Sequence, residues 1–191
     1  MSMPLHSHRV RVLMRRLRET CSAIILLYLA LCAPAGAQDI VTDERSQGVA
    51  QAVFGIVSYT RWPAELKTIH LCVVGPTEYA DEVLKGGQLP GERKVMVRRI
   101  RLDDPVLLTD CQGVYAGLLS DSAWRQLVGR LDGQPLLSIS ERQELCQIGG
   151  MFCLDVRPGN VTFEVNLDSV ARSGVRVNPR VLRLARRKGG G

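Results

Sequence analysis

The sequence predicts an α/β fold: a single domain with a mostly parallel sheet flanked by helices and an antiparallel hairpin near the C-terminus. Three observations predict it. Short apolar, β-branched runs recur from residue 69 onward, and helical patterns stand between them over the first two thirds of the domain. Two late runs, 151–156 and 161–165, are separated only by Arg157-Pro158-Gly159-Asn160. Strands alternating with helices favour a parallel sheet covered on both faces, and two strands joined by so short a Pro-Gly turn favour a hairpin. No internal repeat and no linker interrupts the chain, so one domain is expected.

The first 37 residues read as a secretory signal peptide. Arg9, Arg11, Arg15, Arg16 and Arg18 form a basic leader, an apolar run follows over 23–32, and Ala35-Gly36-Ala37 supplies the small-residue cleavage site before Gln38. The apolar run is too short for a membrane-spanning helix, which needs about 20 residues. Cys32 follows Leu31, where a lipoprotein signal wants a small residue. No later stretch is apolar enough to span a bilayer, so residues 38–188 are expected to fold as an exported domain in the periplasm. Residues 189–191, in Lys188-Gly189-Gly190-Gly191, are expected to be a disordered tail.

Removing the leader changes the charge. The chain has 25 Lys+Arg and 19 Asp+Glu; the leader takes 5 and 1, leaving 20 and 18, a net of +2. That balance gives no argument for nucleic acid as a partner. Of six cysteines, Cys72, Cys111, Cys146 and Cys153 remain. In an exported chain they read as two disulfides. There is no C-x-x-C, and the one remaining histidine, His70, sits inside an apolar strand pattern, which opposes a zinc site; no metal or other cofactor is expected. Four cysteines allow three connectivities. Cys146–Cys153 is favoured because Gly149-Gly150 lets the loop turn back, and Cys72–Cys111 because a parallel sheet can set two strand ends side by side. A redox-active pair is the functional alternative.

The elements follow in order. Residues 45–62 carry Val49, Val53, Ile56, Val57 and Tyr59 at near-helical spacing, and Pro63 stops them. Residues 69–75 are a buried strand ended by Gly75-Pro76. A short helix spans 78–86, a strand 95–102, a turn Asp103-Asp104-Pro105, and a strand 112–119. Ser120 and Asp121 are N-cap candidates for a helix running to Leu131. A strand at 136–140 precedes the hairpin, and short helices at 166–172 and 179–186 finish the domain.

An ordered set of residues resembles a known family. It comprises Phe54, Tyr59 and Trp62-Pro63 at the end of the first helix, a strand carrying Cys72, Asp110-Cys111 before a second strand, and Leu137-Ser138-Ile139-Ser140. Gly149-Gly150-Met151, Phe163-Glu164-Val165-Asn166-Leu167 and Leu182-x-Leu184-Ala185 complete it. Over roughly residues 44–186 the chain resembles the YfiR-type family of periplasmic proteins. The resemblance implies a regulator rather than an enzyme. It would repress an inner-membrane diguanylate cyclase (YfiN-like) by binding its periplasmic region, keeping cyclic-di-GMP and biofilm formation low. An outer-membrane OmpA-like lipoprotein (YfiB-like) would sequester it, the disulfides would couple it to periplasmic redox state, and a homodimer is expected.

Strand alternation nominates a partner surface. Phe152 lies between Met151 and Cys153, so if those two face inward Phe152 faces out, as an anchor for a protein partner. Glu164, between Phe163 and Val165, is expected opposite Phe152 on the paired strand as a polar rim, and Val170 completes the apolar part. A core Phe152 and a merely solvated Glu164 are the ordinary readings beside these. The basic stretch Arg172, Arg176, Arg180, Arg183, Arg186 and Arg187 mostly faces water; a cluster within it would bind an anionic ligand or nucleotide phosphate, with Arg176 the first choice. Trp62 reads as a wall of the fold and His70 as a core or edge histidine. No nucleophile elbow, P-loop or G-x-G-x-x-G is present, so no catalytic residue is named. The competing functions are a small-molecule binding protein, using the crevice at the carboxyl ends of a parallel sheet, and a thiol-redox enzyme, which the absence of C-x-x-C opposes.

Overall fold

The computed structural model describes the backbone of residues 36–185 and the side chains of residues 44–185. By contacts the chain divides into Met1–Asp39 and Ile40–Gly191. The expected leader lies outside the described residues, apart from residues 36 and 37, which open the first helix; the expected tail also lies outside them.

Helix α1 is Gly36–Tyr59. It starts earlier than periodicity predicts and stops earlier too, because Thr60 and Arg61 leave it to pair as a strand. Val49, Val53, Ile56 and Val57 are fully buried, the i, i+4, i+7, i+8 stripe of a helix packed on a core. At its end the Thr60 hydroxyl donates to the Ile56 carbonyl at 2.9 Å, and the Asn178 N–H donates to the Tyr59 carbonyl at 3.0 Å.

The remaining elements, in order, are β1 (Thr60–Arg61), β2 (Thr68–Val74), α2 (Asp81–Leu84), β3 (Gly87–Leu89), β4 (Arg93–Arg99), α3 (Val106–Thr109), β5 (Gly113–Ala116), α4 (Asp121–Leu131) and β6 (Leu137–Ser140). After a 3-10 segment, Gln143–Ile148, come β7 (Phe152–Arg157), β8 (Asn160–Val165), α5 (Leu167–Arg172) and β9 (Arg176–Val177). A 3-10 turn, Pro179–Val181, leads into α6 (Leu182–Ala185). Helix α4 begins where sequence places it, with the Ser120 hydroxyl accepting from the Ala123 N–H at 3.2 Å.

Seven strands form one sheet in the order β3-β4-β2-β5-β6-β7-β8. The five central strands are parallel, while β3 on β4 and β8 on β7 are antiparallel. The parallel part, read as 2-1-3-4-5, is a doubly wound order whose direction of winding reverses between β2 and β5. Strands β5 and β6 are buried at every position. One face packs α1 and the C-terminal segments over Ile69, Leu71, Tyr115, Ile139 and Phe152. The other packs α3, α4 and the 3-10 segment over Cys72, Val114, Ala116 and Cys153. A separate antiparallel ribbon, β1 with β9, pairs Thr60 with Val177 and Arg61 with Arg176.

Candidate functional site

Both disulfides tie the sheet to what covers it. Cys72 in β2 is joined to Cys111 at the entry to β5, with Cα atoms 5.9 Å apart. Cys146 in the 3-10 segment is joined to Cys153 in β7, 5.7 Å apart. The turn between the second pair depends on glycine. Gly149 adopts φ +101°, a region that L side chains rarely enter. A Cβ on Gly150 would stand 2.8 Å from Cys153 Sγ and 2.9 Å from the Leu145 carbonyl oxygen. The backbone need inferred for this glycine pair is therefore a left-handed turn followed by a close approach to the disulfide.

The structure does not form the expected patch of Phe152, Glu164 and Val170. Phe152 is completely buried, and its ring meets Phe163 edge-on at 5.6 Å. Alternation does put Phe152 and Cys153 on opposite faces of β7. Both faces are covered, however, so the side away from Cys153 is a second core rather than solvent. Glu164 is exposed, but it pairs with Cys153, while Val165 stands opposite Phe152. Its carboxylate accepts from Gln143 Nε2 at 2.6 Å. Val170 is half-buried against the core that holds Phe152. Glu164 and Val170 thus belong to opposite sides of the sheet, with Phe152 inside.

Arg176 lands in a defined place. An open cleft of about 450 Å³ lies over the β1–β9 ribbon and is lined by Arg61, Arg93, Arg176 and Arg180 among others, with no carboxylate in its wall. Strand pairing sets Arg61 directly beside Arg176. The carbonyl of Ser58 holds two of these arginines, accepting from Arg61 at 2.7 Å and Arg93 at 3.0 Å. Burial, with the Arg61 charge beside it, holds the Arg93 guanidinium below its ordinary value. Among the described residues no carboxylate lines the cleft, and guanidinium forks suit carboxylate or phosphate oxygens. Of the described residues of the basic tail, Arg176 and Arg180 take part. Arg172 borders a different cavity, Arg183 is exposed, and Arg186 and Arg187 lie outside the described residues.

A family model described as YfiR/HmsC-like matches residues 46–186. The chain belongs to the YfiR/HmsC-like family. That family is regulatory rather than catalytic, and it fits a periplasmic regulator of cyclic-di-GMP signalling. Among the described residues no helix is long and apolar enough to cross a membrane, and no group of three or more His, Cys, Asp or Glu stands where it could hold a metal ion.

Sequence reasoning missed one feature of this YfiR/HmsC-like domain. Glu141, immediately after β6, is 8 % exposed. Its carboxylate accepts from the Tyr115 hydroxyl at 2.8 Å and from the N–H groups of Glu78 at 2.8 Å and Tyr79 at 3.0 Å. Burial pushes the carboxyl above its ordinary value, against the pull of those three donors. Burial, with the Glu141 charge beside it, also raises the Tyr115 phenol well above its usual range. The group clamps the loop after β2 onto β5 and β6. Trp62 serves the fold as expected, donating from Nε1 to the Gln112 carbonyl at 2.8 Å, and His70 is half-buried in β2.

Proposed function

We propose that this chain is a periplasmic repressor of an inner-membrane diguanylate cyclase, acting by direct contact with the cyclase's periplasmic region and released when an OmpA-like outer-membrane lipoprotein captures it. The family match over residues 46–186 carries this reading. The two disulfides support export to an oxidising compartment, and N-terminal sequencing of the secreted form is expected to begin at Gln38. Reduction of the disulfides would then loosen the repressor and release the cyclase. A homodimer is part of the same proposal, and sedimentation equilibrium gives its mass.

With Phe152 buried, partner contact falls to exposed groups, and Glu164 beside Gln143 is one of them. The deciding experiment is retention of the cyclase's periplasmic region on the immobilised, exported protein. Wild type should retain it, and Glu164→Lys should weaken retention with an unchanged melting temperature. No retention by wild type would refute the reading. The four-arginine cleft favours a second reading, in which the protein binds a small anion that modulates its partner contacts. Arg61→Ala with Arg176→Ala should then abolish binding of inorganic phosphate or a nucleotide while leaving the fold intact.

A further inference from the structure

A second cavity, of about 370 Å³, lies between the C-terminal half of α4, the start of β6, the Gly149-Gly150-Met151 turn and α5. It shares no lining residue with the arginine cleft. Its size falls within the range of about 300–1,000 Å³ usual for small-molecule sites. Val128, Leu136 and Met151 give it an apolar wall.

Three serines also line it, and they differ in one respect. The Ser138 hydroxyl accepts from the Met151 N–H at 3.1 Å, and the Ser173 hydroxyl donates to the Val170 carbonyl at 2.8 Å. Ser169 is 8 % exposed, and its hydroxyl oxygen is buried without a hydrogen-bond partner. That oxygen is closed off from the cavity, so recognition of a polar group falls to the rim.

The rim is charged. Arg125 and Arg172 stand on it with Asp132. Neither arginine makes an ion pair or hydrogen bond among the described residues. Two cations against one carboxylate leave a single positive charge in excess, which suits a monoanion better than a multiply charged phosphate.

We propose that this cavity binds a small monocarboxylate with an apolar body: the chain lies against Val128, Leu136 and Met151, and the carboxylate meets Arg125 and Arg172. The site shares no lining residue with the arginine cleft and does not include Glu164, so it stands or falls apart from the proposed repressor role.

The sequence supplies its own reporters. Only two methionines follow residue 43, Met151 in the cavity wall and Met96, half exposed on β4. The exported protein, labelled with ¹³C at the methionine methyls, is titrated with octanoate, and Met151 is assigned through Met151→Leu. The Met151 methyl should shift saturably, with a Kd of about 1 mM or tighter for a ligand of about ten heavy atoms. Met96 should not move. Octanol, lacking the charge, should bind at least about tenfold more weakly, and the Arg125→Ala, Arg172→Ala double variant should lose a similar factor.

Gly129→Leu fills the cavity from its own wall. A Cβ there meets nothing within 4 Å, and Leu is the better helix former. Its side chain would narrow the cavity and should abolish the octanoate response in a folded protein. Any of three results overturns the proposal: no Met151 shift at about 10 mM octanoate, well above that Kd; equal shifts at Met96 and Met151; or wild-type affinity in both Gly129→Leu and the double arginine variant.

Discussion

Replacing Phe152 by alanine tests the two-sided core most directly. The ring is fully buried and packs edge-on against Phe163 with centroids 5.6 Å apart. Its strand neighbours across the ladder are Ile139 and Val165. Phe→Ala in such a site removes the ring's burial and leaves a cavity that a β-sheet flanked on both sides cannot close, so the loss should be about 3–5 kcal/mol. For a domain of this size that is roughly 10–15 °C in melting temperature. Urea unfolding read by tryptophan fluorescence suits the measurement, since Trp124 is fully buried and Trp62 half-buried. The midpoint should fall with little change in slope. Glu164→Ala, on the exposed position, should stay within about 0.5 kcal/mol of wild type. A Phe152→Ala loss under about 1 kcal/mol would refute the burial argument and return Phe152 to the surface. Partner assays on this residue should use Phe152→Leu, which keeps most of the apolar volume, so that lost binding is not merely lost fold.

Three other outcomes are expected. Non-reducing peptide mapping should show Cys72 joined to Cys111 and Cys146 to Cys153, and removing both cysteines of a pair should cost about 4 kcal/mol for the first and about 2.5 for the second, following loop length; equal costs would contradict the chain-entropy account. Burial holds the Glu141 carboxyl above the 4.5 of its ordinary value, so just above that pH the native state alone keeps the proton and stability falls as pH rises. Wild type should show this falling step and Glu141→Gln should not, and parallel stability curves between about pH 4 and 7 would refute it. Gly117→Ala should cost at least about 3 kcal/mol, or prevent folding, because the new Cβ would sit 1.8 Å from the Pro76 carbonyl oxygen; a wild-type melting curve would show that the two loops are not in contact.

The layered fold was legible because its signals are local. Apolar β-branched runs marked the core strands, Ser120 marked the start of α4, and Arg157-Pro158-Gly159-Asn160 marked the hairpin, whose ladder ends at Arg157 opposite Asn160. Some of the shortest elements left little trace. Strands β1, β3 and β9 and helix α3 are too short to show a period, and β1 and β9 exist through each other. The site was half legible for the same reason. A basic tail suggested Arg176, but Arg61 and Arg93 join it from positions far away in sequence, through the ribbon and the sheet edge. The error at Phe152 has a different origin. Alternation reports which residues share a face and cannot report whether that face meets solvent. In a parallel sheet covered on both sides the residue opposite an inward one is inward as well, so the fold class itself argued against an exposed Phe152.

Where ligands can go follows from how this sheet is closed. In doubly wound sheets the loops after the two strands at the reversal point part and leave a crevice. Here those strands are β2 and β5, and their loops meet instead. The Gly117 and Leu118 N–H groups donate to the carbonyls of Val74 and Pro76, and only a residue without a side chain fits at Gly117. Glu141 then draws Glu78 and Tyr79 down onto Tyr115. The place a small-molecule enzyme of this architecture would use is occupied by the protein's own backbone and one buried carboxylate. Openings at the periphery include the arginine cleft over β1–β9 and the serine-lined cavity beside α4, with exposed groups such as Glu164. That distribution suits a protein read by partners along its rim.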